Sequence, residues 1–255
     1  MKVQNLHRIL LILLGLLLWQ TFAAWAAEKD GAQLFQKGNE AYSRGDYQQA
    51  ITLYEELTAS SGYSPSVLYN LANSYAHSGK IGRAVLNYQR ALRLAPGDAD
   101  IAGNLQLVSK ESGLFAADST TTEKFFQFFD LHHWALFFLF LLVLLTLFQG
   151  LPPRYRLRGK TGIGVRLACL LLLLLCGLGA AVRYRDFNPS VVIEADARLL
   201  ISPFSSASSV GAIQEGRLVF PLKTHGPFTY IRDETNRHGW IATASIEAVI
   251  QEAGR

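Results

Sequence analysis

Two uninterrupted apolar runs constrain this 255-residue chain more than any other feature of its sequence. The first, Leu131–Leu151, contains no formal charge, and as a helix it is long enough to cross a hydrocarbon core of about 30 Å. The second, Leu167–Val182, would span only about 24 Å, but the arginines at both of its ends can extend to the lipid headgroups. We therefore predict a hairpin of two membrane helices. Its parts are a first helix over 131–151, a loop over 152–165 and a second helix over 166–183.

Residues 1–26 have the organisation of a secretory signal peptide. Lys2 and Arg8 precede an apolar stretch over residues 9–18, and a small residue, Ala26, marks the expected cleavage site. An uncleaved membrane anchor is the alternative interpretation, because three aromatic residues extend the apolar stretch. Both interpretations place the segment that follows outside the cytoplasm.

The basic residues are concentrated where they can orient the hairpin. The chain has 24 Lys and Arg against 20 Asp and Glu, and the loop over 152–165 is rich in Arg and contains no acid. A basic loop favours the cytoplasmic side, and an exported N-terminal region requires the same orientation. Outside this loop and the N-terminus the acids outnumber the bases, so we expect no nucleic-acid partner.

Residues 28–112 repeat with a period of 34 residues. Recurring pairs are Gly45 and Gly79, Ala50 and Ala84, and Tyr54 and Tyr88. The second copy, LYNLANSYAHSGKIGRAVLNYQRALRLAP, resembles the tetratricopeptide repeat in the spacing of its small and aromatic residues. The resemblance implies an all-α repeat solenoid of two helix pairs. After Pro96, a further apolar face predicts a closing helix with Asp98 as its N-cap.

In repeats of this kind, the first helix of each pair lines a concave groove. The residues that this places in the groove as candidates for protein binding are Asn39, Tyr42, Tyr69, Asn70, Asn73, His77 and Asn104. An asparagine amide offers a donor and an acceptor, which suits the backbone of an extended peptide. Alternatively, some of these amides tie neighbouring helices together.

Two of the asparagines also resemble a known recognition device. Asn39 and Asn70 are similar to the asparagines of the carboxylate clamp in chaperone-binding tetratricopeptide proteins. The cations of that clamp are missing, since Phe35, Asp100 and Asn104 stand at their positions. We therefore do not expect capture of a C-terminal carboxylate.

Residues 190–252 consist of short β-rich stretches separated by Gly, Pro, Ser and Asn, which predicts a small all-β barrel. The order of EGRLV, FTYIRD and a late Gly239–Trp240 pair resembles the bacterial SH3 family. Trp240 is predicted to be a core residue rather than a platform for a ligand. Residues 113–130 are predicted to be a polar linker and juxtamembrane segment.

The residue types that carry catalysis do not form a recognisable pattern. His132 and His133 are adjacent rather than spaced as metal ligands on one helix face. Cys169 and Cys176 both lie within the second apolar run, where a packing role is expected. We therefore expect no enzyme activity, no metal and no cofactor.

Taken in order, these parts resemble the BatE-type proteins of bacterial aerotolerance operons. The resemblance implies a multidomain protein of the bacterial inner membrane, with the repeats and the SH3-like domain on the periplasmic side. It implies a scaffold in an envelope or oxidative-stress complex. Implied partners are Bat-type von Willebrand A membrane proteins, a large exported Bat protein and, indirectly, a MoxR-type ATPase. The alternative function is cell-wall binding, with peptidoglycan held by the SH3-like domain.

Overall fold

A computed structural model describes residues 30–115, 121–150 and 159–250. The predicted signal peptide over 1–26 lies outside the described residues. So do Leu151, the last residue of the predicted first membrane helix, and the first half of the predicted basic loop, over 152–158.

The N-terminal region consists of five helices that follow the predicted repeats. They are α1 over 30–43, α2 (Tyr47–Ser61), α3 (Pro65–His77), α4 (Ile81–Leu94) and α5 (Ala99–Glu111). Asp98 caps α5, as predicted, by accepting from the backbone N–H groups of Asp100 and Ile101. Gly45 and Gly79 turn the chain between paired helices with φ values of 79° and 73°, which favour glycine.

Small residues in the repeats leave room for large aromatic ones. Ala72, Ala84 and Ala91 are fully buried, and Tyr54 and Tyr88 are almost so. Gly38 shows the reason most clearly, because a Cβ atom there would lie 2.5 Å from the ring of Tyr54. The small residues that recur every 34 positions are therefore those at which neighbouring helices pack closely against each other.

The two apolar runs form α7 (Leu131–Gly150) and α8 (Gly159–Arg185), preceded by the short helix α6 (Thr121–Gln127) within the predicted linker. Both long helices meet the length and composition required to cross a membrane. They pack closely near one end, where a Cβ atom on Gly179 would lie 2.5 Å from the indole of Trp134. Helix α8 begins at Gly159, so residues 159–165 are helical rather than part of a loop.

Seven strands form an antiparallel half-barrel at the C-terminal end. They are β1 (Ser190–Val192), β2 (Ala197–Leu200), β3 (Ser209–Ile213), β4 (Leu218–His225), β5 (Phe228–Asp233), β6 (His238–Ala242) and β7 (Ile246–Ala248). Their order in the sheet is β3-β2-β6-β5-β4-β1-β7, which leaves β3 and β7 as the edges. The core consists of aliphatic side chains, including Leu199, Ile231 and Ile241.

The prediction that Trp240 is a core residue is wrong. Successive residues of a strand point to opposite faces, and in β6 Gly239 and Ile241 are the buried pair. This inward position requires glycine, because a Cβ atom there would lie 2.6 Å from the side chain of Leu199. Trp240 therefore faces outward, beside Tyr230 on β5.

The half-barrel packs directly against the repeats, mainly on α4. Arg90 on α4 donates to the carboxylate of Glu247 at 2.7 Å and to the carbonyl oxygens of Ala248 and Val249 at 2.8 and 3.2 Å. Near the start of α4, the N–H of Gly82 donates to the carboxylate of Glu215 at 3.0 Å. Val249 is buried in the same apolar cluster as the repeat core. The two extramembrane domains are thus joined by charged, polar and apolar contacts.

Candidate functional site

The predicted groove residues all lie on α1, α3 and α5, the helices that we call the groove helices. Asn39 and Tyr42 are on α1, Tyr69, Asn70, Asn73 and His77 are on α3, and Asn104 is on α5. These helices alternate with α2 and α4, and the half-barrel packs on α4. The half-barrel also contacts the segment after α5, where the carbonyl oxygens of Ser112 and Phe115 accept from Gln214 and Arg217 at 2.7 and 3.0 Å.

The asparagine amides form bonds between helices. The Oδ1 atom of Asn39 accepts from the hydroxyl of Tyr54 at 2.6 Å and from the Nδ2 atom of Asn70 at 3.0 Å, which joins α1, α2 and α3. One period later, Asn73 accepts from the hydroxyl of Tyr88. These contacts are the ones expected if the amides tie neighbouring helices together. Within residues 30–115, 121–150 and 159–250, Asn39 bonds through its carbonyl oxygen, so its NH₂ group is a further donor at the groove.

Asn104 extends the same arrangement to the closing helix. Its Nδ2 atom donates to the hydroxyl of Tyr69 at 2.9 Å and to the carbonyl of Asp100, also at 2.9 Å. The Asp100 bond is a turn-length contact within α5, whereas the Tyr69 bond crosses to α3. One side-chain hydrogen bond therefore links α1 to α3, and another links α3 to α5.

Burial fixes two tyrosines that bond to this row, Tyr54 on α2 and Tyr88 on α4, as hydrogen-bond donors. It raises the pKa of Tyr54 to about 12, against a smaller opposing effect from the nearby amide of Asn70. Burial also raises the pKa of Tyr88, with further contributions from Tyr69 and Tyr42. Both hydroxyls therefore keep their protons at physiological pH and act as structural donors.

An aromatic corner lies at the junction of the two repeats. Tyr47 and His77 stack with ring centroids 4.7 Å apart and planes 11° apart. Tyr42 meets both rings edge-on, at 5.4 and 5.7 Å. Sequence reasoning missed Tyr47. The signal was its departure from the repeat, since the equivalent position one period later is the aliphatic Ile81.

A cavity of about 160 Å³ lies between α3 and α5, and Ile81 and Tyr88 of α4 also contribute to its lining. Asn73, His77 and Asn104 line it together with Leu107 and Glu111 of α5, which sequence reasoning also missed. Its volume is below the usual range of about 300–1,000 Å³ for small-molecule pockets, so it suits one side chain of an extended segment. Leu107 is 52% exposed and offers such a side chain an apolar contact.

A second candidate surface is an aromatic strip on the outer face of the half-barrel, formed by Lys223, His225, Tyr230, His238 and Trp240. The rings of Tyr230 and Trp240 are 5.2 Å apart, and the ammonium group of Lys223 lies 5.1 and 5.4 Å from their centroids. His238 stacks on Tyr230 at 6.0 Å. The strip combines aromatic faces with a lysine and two histidines on one face of the sheet.

Comparison with known proteins confirms the repeat prediction. The model of the tetratricopeptide repeat family matches residues 35–99, which extend from α1 to the start of α5. The Photosystem I assembly protein Ycf3 of Synechococcus sp. (strain CC9605) is 28% identical over 108 residues, covering 41% of this chain and 62% of that protein. The chain thus spans about three fifths of the length of this relative. Tetratricopeptide repeats indicate binding of protein partners in general.

Proposed function

We propose that this chain is a membrane-anchored, non-enzymatic scaffold that binds a protein partner through the groove helices. The observation that carries the proposal is the arrangement of the repeats: the half-barrel packs on α4, while the cavity between α3 and α5 presents Leu107 and His77. An extended partner segment would place one apolar side chain against Leu107. The remaining amide donors, such as the NH₂ group of Asn39, would bond to its backbone.

The position of the half-barrel supports a topology with both domains on one side of the membrane. The repeats precede α7 and the half-barrel follows α8, yet the two are joined through Arg90 and Gly82. Such contact requires the hairpin to return the chain to its starting side. The basic loop between the helices favours the cytoplasm. We therefore propose the bacterial inner membrane, with both domains on the periplasmic side.

The order of domains supports a more specific role within an envelope or oxidative-stress complex of the Bat type. In this proposal the direct partners are Bat-type von Willebrand A membrane proteins and a large exported Bat protein, and the MoxR-type ATPase is reached indirectly. Ycf3 is named as an assembly protein, and an assembly role is compatible with a scaffold.

Replacing Leu107 by aspartate is expected to lower partner recovery by about tenfold or more, because a charge would face the apolar side chain of the partner. The measurement is cross-linked co-purification with tagged full-length protein. Leu94→Asp is the matched control, since Leu94 is 51% exposed but ends α4. Equal recovery of Bat-type proteins with both variants would refute the groove assignment.

The aromatic strip favours a second candidate function, binding to peptidoglycan. Exposed aromatic faces stack on sugar rings and on peptide groups, and Lys223 supplies a cation for the stem-peptide carboxylates. Trp240→Ala is expected to reduce co-sedimentation of the full-length protein with purified peptidoglycan by about fivefold to tenfold. Phe204→Ala, which removes an exposed aromatic ring outside the strip, is expected to leave it unchanged. An absence of co-sedimentation by the unmodified protein would exclude this function.

A further inference from the structure

A cavity of about 430 Å³ lies where the repeats meet the ends of the two apolar helices. We call it the junction cavity. Its lining includes Gln89 and Arg93 of α4, His132 at the start of α7, Arg183 near the end of α8, and Asp130. Its volume falls within the usual range for ligand pockets, about 300–1,000 Å³.

Two guanidinium groups share this cavity. Arg93 donates to the carbonyl oxygen of Phe187 and lies 5.0 Å from the centroid of the Phe187 ring. Burial, together with the positive charge of Arg183, lowers the pKa of Arg93, although an arginine remains charged at neutral pH. A guanidinium has five N–H donors, so Arg93 keeps several for a ligand.

The carboxylate in the same cavity is only loosely bound. Arg183 meets Asp130 at 3.4 Å, whereas a strong pair of this kind is about 2.7–2.9 Å long. The side chain of Asp130 is also 74% exposed. The second acidic residue of the lining, Asp186, is held by Arg232 at 2.5 Å. Asp130 is therefore the acceptor that a cationic ligand group would meet.

The cavity lies at the level where a phospholipid headgroup would be if the hairpin spans a membrane. Leu131, the first residue of one candidate span, contributes to its wall, and Arg183 precedes the end of the other span at Tyr184. The N-terminus of the 20-residue helix α7 adds a partial positive charge that favours a phosphate.

We propose that the junction cavity binds the headgroup of a zwitterionic aminophospholipid, with its phosphodiester on Arg93 and Arg183 and its ammonium group on Asp130. An anionic headgroup would match the two guanidinium groups but would leave the carboxylate of Asp130 facing a negative ligand. The inference rests on the proposed membrane placement, and it adds a lipid ligand to the proposed scaffold.

The test is native mass spectrometry of the full-length protein in detergent with equimolar phosphatidylethanolamine and phosphatidylglycerol. We expect the unmodified protein to retain phosphatidylethanolamine preferentially. Arg93→Gln and Arg183→Gln are each expected to reduce its retention by about tenfold, because each removes charge-assisted bonds to the phosphate. Asp130→Asn is expected to abolish the preference between the two lipids. Arg198→Gln, at an exposed position on β2, is the control and should bind as the unmodified protein does.

Equal retention of phosphatidylethanolamine by the Arg93, Arg183 and control variants would overturn the proposal, as would a preference of the unmodified protein for phosphatidylglycerol. Membrane anchoring is tested separately by carbonate extraction of cell membranes. Release of the protein by carbonate would refute the proposed placement. Retention in the pellet, combined with lipid binding that does not depend on the cavity residues, would refute only the lipid site.

Discussion

Arg90→Ala is expected to lower the free energy of unfolding by about 3 kcal/mol and to loosen the half-barrel from the repeats. Arg90 is buried and donates to one carboxylate and two carbonyl oxygens of the other domain. Alanine would remove this cation from beside Glu247 and this donor from the carbonyl oxygens of Ala248 and Val249. We expect the lower end of the range for a buried pair, because Glu247 is 30% exposed.

Chemical denaturation of the full-length protein in detergent micelles measures this loss, and hydrogen exchange locates it. The N–H of Gly82 bonds to Glu215 across the interface, so its exchange should accelerate in the variant. Arg83→Ala is the matched control on the same helix, since Arg83 is exposed and its guanidinium lies beside Tyr75, 5.9 Å from the ring centroid, rather than against the half-barrel. We expect that control to cost less than about 1 kcal/mol. Similar losses in both variants would show that Arg90 does not hold the domains together.

The helical part of the fold was predictable because its determinants are local and periodic. Ala50 and Ala84 recur one period apart where helices approach, and Gly45 and Gly79 recur where the chain turns. Asp98 precedes an apolar face at the spacing of an N-cap. Each of these signals depends on residues within one or two helical turns or on a repeated spacing, so sequence alone reveals it.

The contact between the domains could not be predicted in the same way. Arg90 and Glu247 are separated by 157 positions, and no periodicity relates them. One indirect signal was present, since Gly82 stands in a helix where the first repeat has Gln48. Gly82 is the second residue of α4, so the low helix propensity of glycine has less effect there than in a helix interior. Here glycine is required because a Cβ atom would lie 2.5 Å from the carbonyl oxygen of Val192.

The candidate site was predictable in position but not in detail. The repeat pattern assigns the row of asparagines to the groove helices, yet an amide can bond equally well to a peptide or to a neighbouring helix. Only the geometry shows that Asn39 and Asn73 accept from Tyr54 and Tyr88. Leu107 was missed because it lies off the apolar face of α5 that the sequence pattern identifies.

Asp233→Ala is expected to destabilise the half-barrel by about 3 kcal/mol, because it removes the acceptor for a whole turn. The carboxylate is 1% exposed. It accepts from the backbone N–H groups of Thr235 and Arg237 at 2.9 and 2.8 Å, from the Thr235 hydroxyl at 2.8 Å and from the Arg237 guanidinium at 2.7 Å. Alanine would remove the acceptor that holds these four donors together and leave the turn at the end of β5 to bond with water.

The same contacts make the contribution of Asp233 dependent on pH. Burial alone would raise the pKa of Asp233, but the hydrogen bonds from Arg237 and Thr235 outweigh it and hold the pKa below its ordinary value. A lowered pKa in the folded state means that the stabilisation is complete above the unfolded value of about 3.9 and is lost as the pH falls through the folded value. The measurement is unfolding of the full-length protein between pH 2 and 7, followed by near-ultraviolet circular dichroism.

Asp233→Asn separates the charge from the hydrogen bonds. Asparagine keeps one oxygen that can accept from the turn but cannot titrate, so this variant is expected to be less destabilised than Asp233→Ala and to lose the decline below about pH 4. Asp100→Asn, which changes an exposed carboxylate in the first turn of α5, should cost less than about 1 kcal/mol. If the acid decline persists unchanged in Asp233→Asn, the titrating group is a different carboxylate, and the turn at Thr235 and Arg237 owes its stability to something other than the charge of Asp233.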